Sequence, residues 1–441
     1  MKKIKFIKMT NNMDYGNPNF ITQEIGERIE KEFSTPVYVY SESELEKAAD
    51  DFLAFPNAFG CDTRYAMKAN PNINILKIFN KRGILIDASS EYEVYRAVNA
   101  GYKYEDISIS AQEFPVNAEE LIKKGLFFNA TSIHQIEEIG KIIKKLSTEG
   151  FSPLNNYKIG VRINPGTGDG AFKAISTGGT TSGFGIWHEK IPEIKEIAKR
   201  YNLEILKIHI HIGSENTPES WVNSANIGLD FVDIFTNVDT IDLGGGFKKA
   251  IMPYEKSADL QSIGKAVSEK FEYFYKNTGR KIKLEVEPGK SLVINSCSIL
   301  TKVVDIVDTG KEGYEFLRIN SGMTDMLRVP MYGIQEPIYI MNSETEKKDY
   351  IMIGHCCESG DLLTCKLYEQ ETLENRKFNK ANIGDLVVVD GVGAYNSSMS
   401  MKNYNSFPES GELLLRKDGS IVEIRKREKM EEIWRNEIEV V

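Results

Sequence analysis

Five short stretches of this chain carry residues able to do acid–base or covalent chemistry. YAMKAN puts Lys68 at the close of an apolar run, and HIHIGS sets His209 and His211 two residues apart before Gly213 and Ser214. DLGGGF ends in Gly244, Gly245 and Gly246, EVEPGKS carries Glu287 with Lys290 three residues on, and HCCESGD holds the adjacent thiols Cys356 and Cys357. Each has a plain reading beside the chemical one. A lysine at a strand end usually snorkels toward water; the chemical alternative is an amine that forms a Schiff base. Histidines at period 2 share a strand face, and a metal there would want a third ligand that the neighbouring sequence does not offer. A triple glycine serves tight packing or lets backbone N–H groups reach an anion. With a carboxylate and a cation beside it, the turn fits a ligand bearing both a basic nitrogen and a phosphate. Adjacent cysteines in an apolar run are ordinarily buried filler.

These residues act together only if the chain assembles them, and its periodicity does so. Short apolar runs at 62–68, 83–89, 106–110, 126–132, 158–164, 206–213, 240–246 and 283–290 alternate with stretches of period near 3.6, such as NINILKIFNKR, often closed by glycine. That pattern predicts parallel strands joined by helices. Eight runs over this length predict a (β/α)8 barrel spanning 41–299 rather than an open doubly wound sheet. Lys68, Asp87, His209, His211, the three glycines, Glu287 and Lys290 then fall at the C-terminal strand ends, where barrel active sites sit.

Beyond residue 300 the spacing shortens, with strand-like runs separated by Gly and Asp turns. We expect an antiparallel β-domain over 300–441, joined by residues 1–40 with the strand-like TPVYVYSE. Apolar residues make up 41% of the 441 and charged ones 27%, which fits a globular chain and not a disordered one. No run approaches the roughly 20 apolar residues of a membrane helix. Lys plus Arg number 55 against 64 Asp plus Glu, a net charge of −9 that argues against nucleic acid or an anionic membrane as partner. Five cysteines without a CxxC pair suggest reduced thiols, and with no apolar leader in MKKIKFIKMT the expected compartment is the cytoplasm.

YAMKAN, HIHIGS, DLGGGF, EVEPGKS, CCESGD and DGVGAY, in this order, resemble the motifs of the fold-type III, alanine-racemase-like pyridoxal-phosphate decarboxylases. Further segments, AISTGGTTSGFGI, NSGMTDMLRVPMYG and YNSFPESGELLL, are most similar to the diaminopimelate-acting branch of that family. The resemblance implies a TIM barrel with a C-terminal sheet domain and pyridoxal 5′-phosphate as cofactor. Lys68 would hold the cofactor covalently, Glu287 would pair with its ring nitrogen, and His211 would stack on the ring. Ser214, Gly244, Gly245, Gly246 and Tyr395 would hold the phosphate with Lys290 close by, and Asp87 would help set the protonation of Lys68. Cys357, chosen over Cys356 by register with CESGD, would donate the proton that replaces CO2. Lys290, Arg328, Tyr332, Glu358 and Tyr395 would contact substrate, and no metal is implied. The implied reaction converts meso-2,6-diaminopimelate to L-lysine and CO2, the last step of lysine biosynthesis, in a homodimer whose Cys-bearing segment reaches the partner's barrel.

The chain departs from the pattern in places. EPGR is EPGK here, RPALY is RVPMY with Arg328 and Tyr332 at the same spacing, SRPR is SFPE, and Gly183 replaces a lysine before FGI. Arg and Lys are not interchangeable at a bidentate site, so a decarboxylase of ornithine, lysine or arginine stands as the alternative. A non-catalytic homologue would have no reason to keep Lys68, Glu287 and Cys357 together.

Overall fold

In the computed structural model, residues 16–151, 157–166, 179–211, 213 and 217–440 are described. Eight short parallel strands, Cys61–Ala66, Leu85–Ala88, Ile107–Ile109, Phe127–Ala130, Lys158–Asn164, Glu204–His209, Thr240–Asp242 and Lys283–Val286, pair in a ring. The ring closes where Lys283–Val286 pairs with Cys61–Ala66 and Phe127–Ala130 pairs with Lys158–Asn164. All eight expected strands form, most of them ending short of the expected run. At the mouth the backbone must leave the sheet to enter its loops. Lys68 therefore stands on a single 3₁₀ turn, Met67–Ala69, and His211, the glycines and Glu287 lie just past their strands.

The helix Ile73–Arg82 illustrates how local sequence builds the outer layer. The Asn72 side chain accepts the Asn74 N–H, Ile75, Leu76 and Phe79 face inward, and Gly83 ends the helix at φ +82°. Inside the barrel the strands bury charge as well as apolar groups. Glu285 accepts from Arg64 Nη2 at 3.1 Å and from Lys207 Nζ at 2.8 Å, and Lys207 also donates to Ser108 Oγ at 3.1 Å. Burial alone would raise the Glu285 carboxyl, but Arg64 and Lys207 outweigh it and hold the group down to about 2.

A second sheet places Val37–Ser41 between Cys297–Asp308, antiparallel, and Gly411–Leu415, parallel. Glu315–Ile319, Lys347–Ile353, Arg376–Asn379, Ile338–Met341, Leu386–Asp390 and Ile421–Arg425 complete it. The expectation of an antiparallel domain is corrected here, for the sheet is mixed. Glu315–Ile319 and Lys347–Ile353 run parallel because a long crossing segment separates them, which a tight hairpin could not allow. Its core is Ile21, Ile29, Val37, Val39, Leu300, Leu386, Val388 and Leu413. Contacts divide the chain into a barrel unit, Leu45–Lys249 with Lys256–Leu292, and a sheet unit formed by residues up to Glu44, Ala250–Glu255 and Val293 onward. Among the described residues no helix is long and apolar enough to cross a membrane.

Removing Glu285 leaves Arg64 and Lys207 buried without their shared acid. Glu285→Ala is expected to destabilise the barrel by roughly 3–5 kcal/mol, measured by urea denaturation at pH 7. Because the folded carboxyl is held at about 2, below its unfolded value, its contribution is full above about pH 4.3 and fades as pH falls toward 2. The gap between wild type and variant should therefore narrow in acid; a constant gap would contradict the assignment.

Candidate active site

Lys68 is exposed at the barrel mouth, in the field of the buried Asp87 at the end of Leu85–Ala88. Burial pushes the Asp87 carboxyl up to about 7, with Lys68 pulling it down and Asp242 adding to the rise. Glu93, which the sequence reading passed over, also feels Lys68 and is raised by burial. Its carboxylate accepts the Ser89 N–H at 2.7 Å while Ser90 Oγ accepts the Glu93 N–H, a helix-capping arrangement that SSEYE could have signalled.

The pocket floor is a second cluster of buried ionisable groups. His209 Nδ1 lies 2.5 Å from Asn129 Nδ2, which also donates to Ser110 Oγ at 3.0 Å. An amide donor on Nδ1 leaves the imidazole proton on Nε2, which lies 3.4 Å from Glu287 Oε2 without a hydrogen bond to it. Burial, then Arg162 and His211, lower His209 well below the ordinary imidazole range, so it is neutral. His211, beyond the strand end, is lowered in the same way by burial, Arg162 and Lys68. The expectation that both histidines face inward together holds only for His209 as a strand residue; His211 is half-buried in the loop.

Glu287 is raised well above the carboxylate range by burial, then by Asp242 and Asp87. Its Oε1 is buried and has no hydrogen-bond partner among the described residues. His209, Asp242 and Glu287 bring ligand atoms within 4.8 Å of one another, a grouping that the sequence hid because Asp242 sits inconspicuously before the glycines. Its Oδ1 accepts the Gly244 N–H at 2.8 Å, and Gly244 in turn accepts the Glu287 N–H at 2.9 Å. Gly244, at φ +71°, packs on the His211 ring so closely that a Cβ would come within 2.5 Å of Nδ1; at Gly245 a Cβ would meet the Glu287 carbonyl at 2.4 Å. Arg162, also missed, is buried beside this cluster, its Nη2 without a hydrogen-bond partner among the described residues. Gly246 follows at φ +100°, and half-buried Lys290 opens the helical turn Lys290–Val293. Ser214, like residues 167–178 of the Gly-rich segment, lies outside the described residues. The floor offers unsatisfied acidic oxygens, Glu287 Oε1 and Asp242 Oδ2 with Asp87 Oδ1 beside them, for a protonated ring nitrogen, and a wall without side chains for a flat, anionic group. A pyridoxal phosphate fits that pattern.

The sheet unit carries the other candidates. Asp361 Oδ1 accepts the Met323 N–H at 2.6 Å, Oδ2 accepts the Cys356 N–H at 2.8 Å, and the Asp361 carbonyl accepts the Gly354 N–H. A Cβ at Gly322 or Gly354 would strike this carboxylate at 2.3 or 2.2 Å, which explains both glycines. Cys356 is half-buried, and burial and Asp361 push its thiol up to about 12, whereas Cys357 and Glu358 are exposed. Tyr404 Oη donates to Glu358 at 3.2 Å. Arg328 is buried and bonded through Nη1 to Glu336 at 3.2 Å and to the Gly391 carbonyl at 3.3 Å; Tyr332 and Tyr395 lie within its electrostatic reach. Tyr395, half-buried, adopts φ +57°.

A barrel whose strand ends gather an exposed lysine, an unsatisfied buried acid and a glycine wall defines a cofactor-binding barrel. Residues 45–294 match the pyridoxal-binding domain of the pyridoxal-dependent decarboxylases, and the chain belongs to that family. It is 32% identical over 434 residues to the diaminopimelate decarboxylase of Buchnera aphidicola from Acyrthosiphon pisum, covering 94% of this chain and 96% of the relative. A solved diaminopimelate decarboxylase superimposes with TM-score 0.84 at 27% identity, over 95% of this chain and 98% of that one. The enzyme from Helicobacter pylori complexed with L-lysine does so with TM-score 0.79 at 27% identity, over 93% and 98%.

The contrast between the two adjacent thiols is open to a direct check. Iodoacetamide at pH 8 should modify Cys357 and leave Cys356 unlabelled, because thiolate carries the reaction. Peptide mass mapping that finds Cys356 labelled as fast as Cys357 would reverse the choice between them.

Proposed function

We propose that this chain decarboxylates meso-diaminopimelate to L-lysine and CO2 with pyridoxal 5′-phosphate. The observation that carries the cofactor is the group of buried acidic oxygens at the strand ends, Glu287 Oε1, Asp242 Oδ2 and Asp87 Oδ1, none of which receives a hydrogen bond from an N–H or hydroxyl among the described residues. Such an atom is costly unless a ligand satisfies it. Bound pyridoxal phosphate supplies an electron sink for the electrons left when a carboxylate departs. Lys68 would hold it covalently, with Asp87 and Glu93 setting the amine's protonation. Glu287 would keep the ring nitrogen protonated, with the neutral His209 ring beside its second oxygen. His211 would lie against the ring, and Ser214, Gly244, Gly245, Gly246, Lys290 and Tyr395 would receive the phosphate.

Cys357 would then deliver a proton to the α-carbon, its exposure allowing it to approach substrate while Cys356 is held back. Arg328, Tyr332, Glu358 and Tyr395 would read the far end of the substrate, where a guanidinium suits a carboxylate. The diaminopimelate decarboxylases of Buchnera and Escherichia coli match over more than nine-tenths of the chain, which favours that substrate. The SFPE departure does not weigh against it. Glu409 pairs with Lys402 at 2.8 Å and approaches Arg425, so its charge is matched within the sheet unit. We further propose a homodimer in which the Cys357 segment serves the partner's barrel.

The deciding assay is CO2 release with added cofactor from meso-diaminopimelate, ornithine, lysine and arginine. Diaminopimelate should be turned over with L-lysine as product and the others poorly; preference for ornithine or lysine would move the chain to the alternative function. Cys357→Ala should cost about 10²–10⁴-fold in turnover, and Lys68→Ala should leave a colourless protein. Mixing these two inactive variants should regenerate activity in hybrid dimers, and failure despite demonstrated subunit exchange would remove the shared-site arrangement. Arg328→Ala needs a melting curve beside its kinetics, since breaking the buried Arg328–Glu336 pair should itself cost roughly 3–5 kcal/mol.

A further inference from the structure

We propose that the segment Tyr404–Phe407 is a clamp that fixes the Cys357 loop, with Asn405 as its positioning residue. The role in turnover rests on Cys357 being the proton donor; the clamp itself rests on contacts alone.

Three successive grips join the two segments. Asn405 Oδ1 accepts the Cys357 N–H at 2.8 Å, Tyr404 Oη donates to Glu358 Oε2 at 3.2 Å, and the Phe407 ring stacks on His355 at 3.6 Å with 6° between planes. His355 is itself tied to Thr324 Oγ1 at 2.8 Å. The loop is thus held at consecutive amides by different side chains, Cys356 N–H on Asp361 and Cys357 N–H on Asn405. Fixing both amides sets the backbone at Cys357 while leaving its side chain in the open.

The clamp's own backbone is unusual. Asn403, Asn405 and Ser406 all adopt left-handed conformations, at φ +66°, +50° and +56°. Non-glycine residues seldom do so, asparagine being the best tolerated, and such conformations persist where surrounding contacts over-determine them. Here Asn405 is held by its bond to the Cys357 amide, and the Ser406 N–H closes on the Asn403 carbonyl within the segment. Phe407 is one of the positions at which SFPE departs from the family's pattern, and its stacking on His355 gives that departure a local job.

Asn405→Gly keeps the left-handed backbone and deletes the acceptor, whereas Asn405→Asp keeps an acceptor oxygen. In the full-length holoenzyme, Asn405→Gly should speed exchange of the Cys357 amide at least tenfold and lower kcat about tenfold. KM and cofactor affinity should stay within twofold, and Asn405→Asp should restore both exchange and kcat. Phe407→Leu should speed exchange across 355–358 in the same direction. Unchanged exchange in Asn405→Gly would overturn the clamp. Faster exchange with unchanged kcat, in an enzyme that Cys357→Ala inactivates, would overturn the positioning role. Should Cys357→Ala retain turnover, the donor reading fails, and amide exchange still decides whether the clamp exists.

Discussion

The barrel's chemistry depends on how its interior balances charge. Four acids, Asp87, Asp242, Glu285 and Glu287, share that interior with three cations, Arg64, Arg162 and Lys207. In a medium of low polarity each of these charges acts on its neighbours far more strongly than it would in water. Glu285 takes most of the available cation, bonded to both Arg64 and Lys207. Lys207 is left 3.8 Å from Asp242, too far to satisfy it, and Asp242 in turn pushes on Glu287. Glu287, just past its strand end, is therefore left with little compensation. A pocket with one acid in excess and a neutral histidine at its side favours a ligand that brings a proton on nitrogen. The raised Glu287 and Asp87 and the lowered Glu285 are consequences of one distribution.

Much of this was legible from the sequence because barrels write their strands as short apolar runs at regular spacing. The candidate residues of the barrel fall where those runs end. What the sequence could not show is which neighbours in space modify them. Asn129 looks like an ordinary polar residue closing a strand, and Asp242 like part of a glycine turn. Both acquire meaning only through ring closure, which brings strands distant in sequence beside His209 and Glu287. The antiparallel expectation for the sheet unit failed for a related reason. Strand spacing reports length, while direction depends on the segment between strands, and residues 320–346 hold a helical turn and a strand of their own.

The Cys-bearing loop follows a different logic from the barrel. There the constraint is one residue, Asp361, whose carboxylate accepts the Met323 and Cys356 amides and whose backbone carbonyl accepts that of Gly354. The two glycines beside it are fixed by contact and not by a special φ, since any side chain would occupy the carboxylate's place. The same carboxylate that orders the loop also raises the Cys356 thiol. One residue thus builds the loop and, with burial as the larger cause, sets the Cys356 thiol apart from Cys357. Register with a motif could choose Cys357 but could not supply that reason.

Arg328 shows why a sequence match and a structural role need separate arguments. Its spacing to Tyr332 survives the displaced proline of RVPMY, and read alone it is a free fork of donors for a carboxylate. In the fold it is a buried partner of Glu336 and of the Gly391 carbonyl. A guanidinium held this way loses little further side-chain freedom when it meets a ligand, because its plane is already set. The proposed reading of the substrate's distal end then depends on Glu336 as much as on Arg328. The acid fixes the direction of the fork, and the substrate carboxylate would complete a pairing that Glu336 leaves directed and unfinished.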